Sequence, residues 1–203
     1  MIECIKDGAL WTLRINRPEK ANSLTPDMLE ALCDHAEAAK GHARVMVLTG
    51  TGKVFSAGAD LDAAKAGLAT SPLWERLSSA VASFDGLSIA ALNGTLAGGA
   101  MGMALACDLR LAVPGAKFFY PVMQLGYLPQ PSDPGRLAAL VGPARAKLIL
   151  MGAQKLTAPE ALSFGLIDRI VEADDMQAAI EDITAAPLAA PLPILHGIKA
   201  MIP

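Results

Sequence analysis

Short strand-type runs along this chain are each followed by a stretch of helix-type periodicity, and that alternation constrains it to an α/β architecture. Cys4-Ile-Lys and Leu10-Trp-Thr-Leu-Arg-Ile alternate polar and apolar residues on either side of Asp7-Gly8, which predicts an opening β-hairpin. After a break at Asn16-Arg-Pro-Glu-Lys, Thr25 before Pro26 and apolar Met28, Leu29, Leu32 and Ala36 predict a capped amphipathic helix to about Lys40. A buried strand is expected over 44–49 and a turn at Gly50-Thr-Gly-Lys53. A second helix follows over 72–84, then a strand over 88–92 and a glycine-rich entry into a helix ending near Cys107. Further short strands are expected over 108–113, 117–120 and 167–171, with helices from Asp133, Pro143 and Thr157. Thr157 and Glu160 have capping-box spacing, and Gly165 closes that helix. Residues 174–203 read as helix and proline-broken linker. The division expected is a core over 1–171 and a helical segment over 172–203, with no regular period of a repeat array.

At 203 residues the chain fits one domain that can bury a core without disulfides or metals. Its 53% hydrophobic and 18% charged residues predict burial partly against copies of itself, so a homo-oligomer is expected. A net charge of −3, with both signs mixed along the chain, gives no footprint for nucleic acid or an anionic membrane. Cys4, Cys33 and Cys107 read as reduced core thiols of a cytoplasmic protein, and residues 1–16 lack an apolar signal-type run. Residues 86–107 are uncharged and place Gly98 and Gly102 in GxxxG spacing, which raises a membrane span. The small residues, Asn93-Gly94 and the acidic flanks Asp85 and Asp108 argue instead for a buried strand, turn and helix. His35, His42 and His196 show no metal-ligand spacing, so no metal is expected, and Gly50-Thr-Gly-Lys53 lacks the spacing of a phosphate-binding loop.

Two loops carry small residues where a strand hands over to a helix: Val54-Phe-Ser-Ala-Gly-Ala-Asp-Leu61 and Leu92-Asn-Gly-Thr-Leu-Ala-Gly-Gly-Ala-Met-Gly102. Main-chain N–H groups at a helix start have no intrahelical acceptor and sit at the positive end of the helix dipole, where they can hold a developing oxyanion. Either loop alone reads equally well as a tight turn or a close packing point. Together, in this order, with Asn16-Arg-Pro-Glu-Lys-Ala-Asn-Ser-Leu, Gly126-Tyr-Leu-Pro, Leu156-Thr-Ala-Pro-Glu-Ala and Phe164-Gly-Leu-Ile-Asp-Arg-Ile-Val, they resemble the crotonase (enoyl-CoA hydratase/isomerase) superfamily over essentially the whole chain.

The resemblance implies a spiral of repeated ββα units, a C-terminal helical region, short here, that mediates assembly as a trimer or dimer of trimers, and acyl-coenzyme A thioesters as substrates. Coenzyme A enters as part of the substrate, and no further cofactor is implied. By position, the oxyanion donors are the N–H groups of Ala59 and Gly99, with Gly58 and Gly98 keeping the approaches open. Lys20, Ala21 and Ala57 fall against the nucleotide arm of coenzyme A. Asp60, Leu61, Gly98, Gly102, Pro121, Val122 and Gln130 complete the substrate site, with Asp60 more structural than catalytic.

The resemblance also puts the two glutamates of the hydratases at Gly102 and Val122, and a third acidic position used by some isomerases at Gln130. None of these can act as a base, and losing a general acid or base costs about 10²–10⁴-fold in rate. Tyr120, Tyr127, Gln130 and Asp133 are substitutes within reach, although Asp133 before Pro134 reads more readily as a helix N-cap. Two functions stay open: an enzyme of changed enolate chemistry, such as a decarboxylase or thioester hydrolase, and a non-catalytic acyl-coenzyme A-binding or assembly member. Further helices beyond Ile198-Lys199 are implied as pocket cover and subunit contacts.

Overall fold

The structure, a computed structural model, describes residues 1–202. The opening hairpin pairs β1 (Ile2–Asp7) with β2 (Leu10–Ile15) in antiparallel register, Asp7 opposite Leu10. Gly8 takes φ +55° in the turn, a conformation any Cβ would strain. Thr25 caps α1 (Pro26–Ala39) by accepting from the N–H of Met28. Three ββα units follow. In the first, β3 (Val45–Gly50) and β4 (Val54–Ser56) precede α2 (Leu61–Lys65) and α3 (Leu73–Ala82). In the second, β5 (Leu87–Leu92) and β6 (Thr95–Ala97) precede α4 (Met101–Leu105), which continues a 3-10 turn over Gly98–Ala100. In the third, β7 (Leu109–Ala112) and β8 (Lys117–Phe119) precede α5 (Val122–Leu125) and α6 (Asp133–Val141).

Each unit sends its first strand to one sheet and its second to another. The large sheet runs β1-β2-β3-β5-β7-β10 and the small one β4-β6-β8-β9, with β9 (Leu156–Thr157) and β10 (Arg169–Ile170) closing them. Apart from the β1–β2 and β8–β9 pairs, every pairing is parallel. This is the ββα spiral that the resemblance implied.

Residue alternation in β3 explains why it reads as an unbroken apolar run. Met46 and Leu48 enter the main core with α1, α3 and α4, while Val45 and Val47 face a second cluster with Ile89, Ala91, Leu111 and Ile180. Ile180 belongs to α9 (Met176–Ala189), which covers that second face, and Arg44 fastens its end by donating to the carbonyl of Leu188 at 2.7 Å. Pro187 lies inside α9 instead of breaking it, which corrects the linker expected there. Between the third unit and α9 lie α7 (Pro143–Leu150) and α8 (Ala158–Phe164), the latter held by the Thr157–Glu160 capping box and closed by Gly165 at φ +81°. After α9 comes α10 (Leu192–Met201). Residues 86–107 fold as strand, strand and short helix, and among the described residues no single helix is long and apolar enough to cross a membrane.

Two acidic residues of the quoted segments hold this frame. Asp108 accepts from the N–H and hydroxyl of Ser88 and from Lys199 Nζ at 2.9 Å. Asp168 accepts from the N–H of Arg110 at 2.7 Å and pairs with its guanidinium.

Candidate active site

Two asparagines shape the approach. Asn22, fully buried at φ +53°, donates to the carbonyls of Thr51 and Val54 and accepts from the N–H of Arg17. Asn93 donates to Gly52 and Val54 and accepts from the N–H of Gly50. Between them they replace the ladder bonds that the tight β3–β4 turn cannot make for itself. Asn22→Ala is expected to lower stability by about 2–4 kcal/mol in urea unfolding, because it orphans main-chain groups in a buried turn. A loss under about 1 kcal/mol would show that the turn holds without it.

The early loop and the first glycine-containing loop are joined by main-chain bonds. Ala57 N–H donates to Ala21, Leu24 N–H to Gly58, and Asp60 N–H to Leu24. In this parallel bridge the residues on either side of Ala59 make the bonds, so the N–H of Ala59 itself points away from the early loop. Asp60 caps α2, its carboxylate accepting from the N–H groups of Asp62 and Ala63 and from Arg17 at 2.9 Å. The Arg17 guanidinium, then these N–H groups, hold its pKa below the usual aspartate value. Asp60 is thus a strut.

The second loop brings Gly99 into the first helical turn, where N–H groups have no intrahelical acceptor. The two loops touch at their glycines. A Cβ on Gly58, at φ +88°, would lie 3.0 Å from the Ala97 carbonyl and 3.4 Å from Gly99 N. Trp74 of α3 closes the back of Gly99, where a Cβ would lie 3.0 Å from the indole, whose N–H donates to the Leu68 carbonyl. Trp74 was invisible to sequence reasoning, because its contact with Gly99 is made between elements far apart in the chain.

Ala59 and Gly99 line one cavity of about 290 Å³. Ala57, Leu61, Gly98, Pro121, Val122 and Gln130 line it too, together with Trp74 and Tyr120. Lys20, Ala21, Asp60 and Gly102 do not line it. Lys20 and Ala21 belong to the early loop beside Ala57, Asp60 faces Arg17, and Gly102 is buried in α4. A larger cleft of about 680 Å³ lies between the core and α10, remote from both loops.

Asp133 departs from its expected role. Ser132 takes the N-cap position, and its hydroxyl and N–H go to Glu75 of α3. Burial pushes the Glu75 carboxyl up, but the two Ser132 bonds outweigh it and leave the pKa below the usual glutamate value. Asp133 instead turns inward, fully buried, and accepts from the Tyr120 hydroxyl at 2.8 Å. A helix-entry residue before proline reads locally as a cap; here the neighbouring serine leaves the aspartate free for a tertiary partner.

The model of the enoyl-CoA hydratase/isomerase family matches residues 6–194. The chain is 36% identical to the probable enoyl-CoA hydratase echA6 of Mycobacterium bovis over 99% of its own length and 82% of that protein's. It is 33% identical to the crotonyl-CoA hydratase of Syntrophomonas wolfei, covering 88% of this chain and 72% of that one. The crystal structure of an enoyl-CoA hydratase/isomerase from Pseudoalteromonas atlantica superimposes with a TM-score of 0.91 at 29% identity, over 99% of this chain and 82% of the other. With its spiral of ββα units and two glycine loops meeting on one cavity, the chain belongs to the enoyl-CoA hydratase/isomerase family.

Proposed function

We propose that this protein binds an acyl-coenzyme A thioester in the cavity between its two glycine loops and polarises the thioester carbonyl with the N–H groups of Ala59 and Gly99. The observation that carries this reading is the meeting of the loops, with both donors on one cavity. Preorganised N–H donors stabilise the negative oxygen of an enolate or tetrahedral adduct more than the neutral carbonyl, so they lower the barrier to reactions through either. Trp74, Pro121 and Val122 give the acyl group apolar walls, while Lys65 at the rim offers a cation to the phosphates of coenzyme A.

With Gly102 and Val122 at the hydratase glutamate positions, ordinary hydration is not the expected reaction. Decarboxylation, thioester hydrolysis or another enolate chemistry suits the residues present. The same two positions support a second reading, a non-catalytic acyl-coenzyme A-binding or assembly member. Exposed Leu192, Ile194, Ile198 and Met201 on α10 support assembly as a trimer or dimer of trimers, and three free cysteines, Cys33 and Cys107 buried, support a reducing compartment such as the cytoplasm.

Calorimetric titration with butyryl-coenzyme A tests the binding, and mass spectrometry of enoyl-, 3-oxoacyl- and malonyl-type thioesters tests turnover. Gly58→Ala forces a Cβ against the Ala97 carbonyl at a positive φ and displaces the Ala59 donor. It is expected to weaken butyryl-coenzyme A binding at least tenfold. Binding without turnover favours the second reading, and no binding by the unmodified protein rejects every acyl-coenzyme A reading and leaves only the assembly member.

A further inference from the structure

Where a glutamate side chain would leave α4 at Gly102, another carboxylate already stands. A Cβ on Gly102 would lie 2.8 Å from Asp133 Oδ1 and 3.2 Å from Oδ2. The acid reaches that space from α6, thirty-one positions later in the chain, as the difference between 133 and 102. Its Oδ2 accepts from Tyr120, and its Oδ1 is buried with no partner; among the described residues only Arg110 Nε shares that condition. Tyr120 lines the cavity of Ala59 and Gly99, and its phenol oxygen takes one further contact, the N–H of Gln130 at 3.5 Å.

A buried carboxylate with an idle oxygen is costly to keep for packing alone, since a leucine–phenylalanine pair would fill the same volume without desolvating a charge. We propose that Tyr120 and Asp133 form the proton carrier of this site: Tyr120 is the catalytic residue that exchanges a proton with the α-carbon of the bound thioester, and Asp133 is the positioning residue that takes up Tyr120's own proton. The proposal rests on the acyl-coenzyme A reading of the cavity.

The step balances without a co-reactant. The α-carbon C–H bond breaks, and its electron pair becomes the enolate double bond, while the carbonyl electrons move to the oxygen facing Ala59 and Gly99. The released proton bonds to the Tyr120 oxygen as the phenol proton crosses the 2.8 Å hydrogen bond to Asp133 Oδ2. One negative charge passes from Asp133 to the enolate, and the reverse step returns a proton.

The groups around the pair favour this sequence. Burial raises the Asp133 carboxyl to about 6, against the lowering effects of the Tyr120 bond and the Arg136 guanidinium and with a smaller push from Glu75. Burial first, then the Asp133 charge, holds the Tyr120 phenol far above its ordinary value. Tyr120 therefore stays protonated and transfers only in concert with its partner, while Asp133 is a base near neutral pH.

The test is deuterium uptake at the α-carbon of butyryl-coenzyme A in deuterated water, by mass spectrometry from pH 5 to 8, with the dissociation constant measured alongside. The unmodified protein is expected to exchange with a rate that rises through a pH near 6. Tyr120→Phe and Asp133→Asn are each expected to lower that rate at least 100-fold, with dissociation constants within about threefold of the original. Binding without exchange, exchange that is flat across the pH range, or exchange that survives either substitution overturns the proton carrier and leaves the acyl-coenzyme A reading standing. Absence of binding overturns that reading and the carrier with it. A flat pH profile of the unmodified protein overturns the carrier even if both variants fail to fold.

Discussion

Asp133→Asn is expected to gain stability relative to the wild-type protein as pH rises from 4 to 7.5, and to exchange the α-proton at least 100-fold more slowly. Burial lifts the folded-state pKa of Asp133 to about 6, from the 3.8 of a free aspartate side chain. Between those values the folded state holds more protons than the unfolded state, so the contribution of this group to stability is fully present below pH 4 and lost as pH rises through 6. That elevation corresponds to at most about 3 kcal/mol, which the wild-type protein gives up above pH 6 and an asparagine does not. The amide adds its own cost, because one of its N–H groups would meet the space where Asp133 Oδ1 now lacks a partner; that is about 1–3 kcal/mol and independent of pH. The change in the wild-type-to-variant difference between pH 4 and pH 7.5 isolates the ionisation. It is expected to be about 2–3 kcal/mol in favour of asparagine, or roughly 4–10 °C in thermal midpoint for a chain of this size. A difference that does not change with pH would mean that Asp133 ionises as freely in the folded protein as in water, and the base near neutral pH would be lost with it.

That trade of stability for reactivity has no local signature in the sequence, whereas much of the frame does. The Asp7-Gly8 turn, the Thr25 cap, the Thr157–Glu160 capping box and the Gly165 stop were legible because each is settled within four residues by hydrogen bonds the chain makes to itself. The small sheet was legible only in β8, expected over 117–120. β4 and β6 span three residues each and β9 two, too few for a period of two to register, and their partners lie a whole ββα unit away. The same distance hid the site. Asn22 was one letter in a motif until the structure placed its amide between Arg17, Thr51 and Val54. Asp133 looked like a cap because serine, aspartate and proline in series look like a helix start, while its partner Tyr120 and the vacancy at Gly102 become neighbours only when α4 and α6 pack. The oxyanion loops were readable for the opposite reason: their function lies in the main chain, and only small residues permit it.

Gly102→Ala provides a test of that packing in which the sign of the effect decides. In the middle of a helix, alanine is ordinarily favoured over glycine by roughly 0.5–1 kcal/mol, so an open position would gain stability from the change. At Gly102 the added methyl would sit 2.8 Å from Asp133 Oδ1, closer than real Cβ contacts come, and the carboxylate is pinned by Tyr120 in a buried pocket. Gly102→Ala in the unmodified protein is therefore expected to cost about 1–3 kcal/mol. In an Asp133→Ala background the carboxylate is gone, and the identical substitution is expected to stabilise by roughly 0.5–1 kcal/mol. The two changes should thus couple by about 1.5–4 kcal/mol in urea unfolding, far above the few tenths expected of independent sites. A stabilising Gly102→Ala in both backgrounds would place Asp133 outside the volume that a side chain at 102 enters. A reversal of sign would establish that side chains from the two helices compete for one volume, which Asp133 of α6 fills because α4 carries no side chain there.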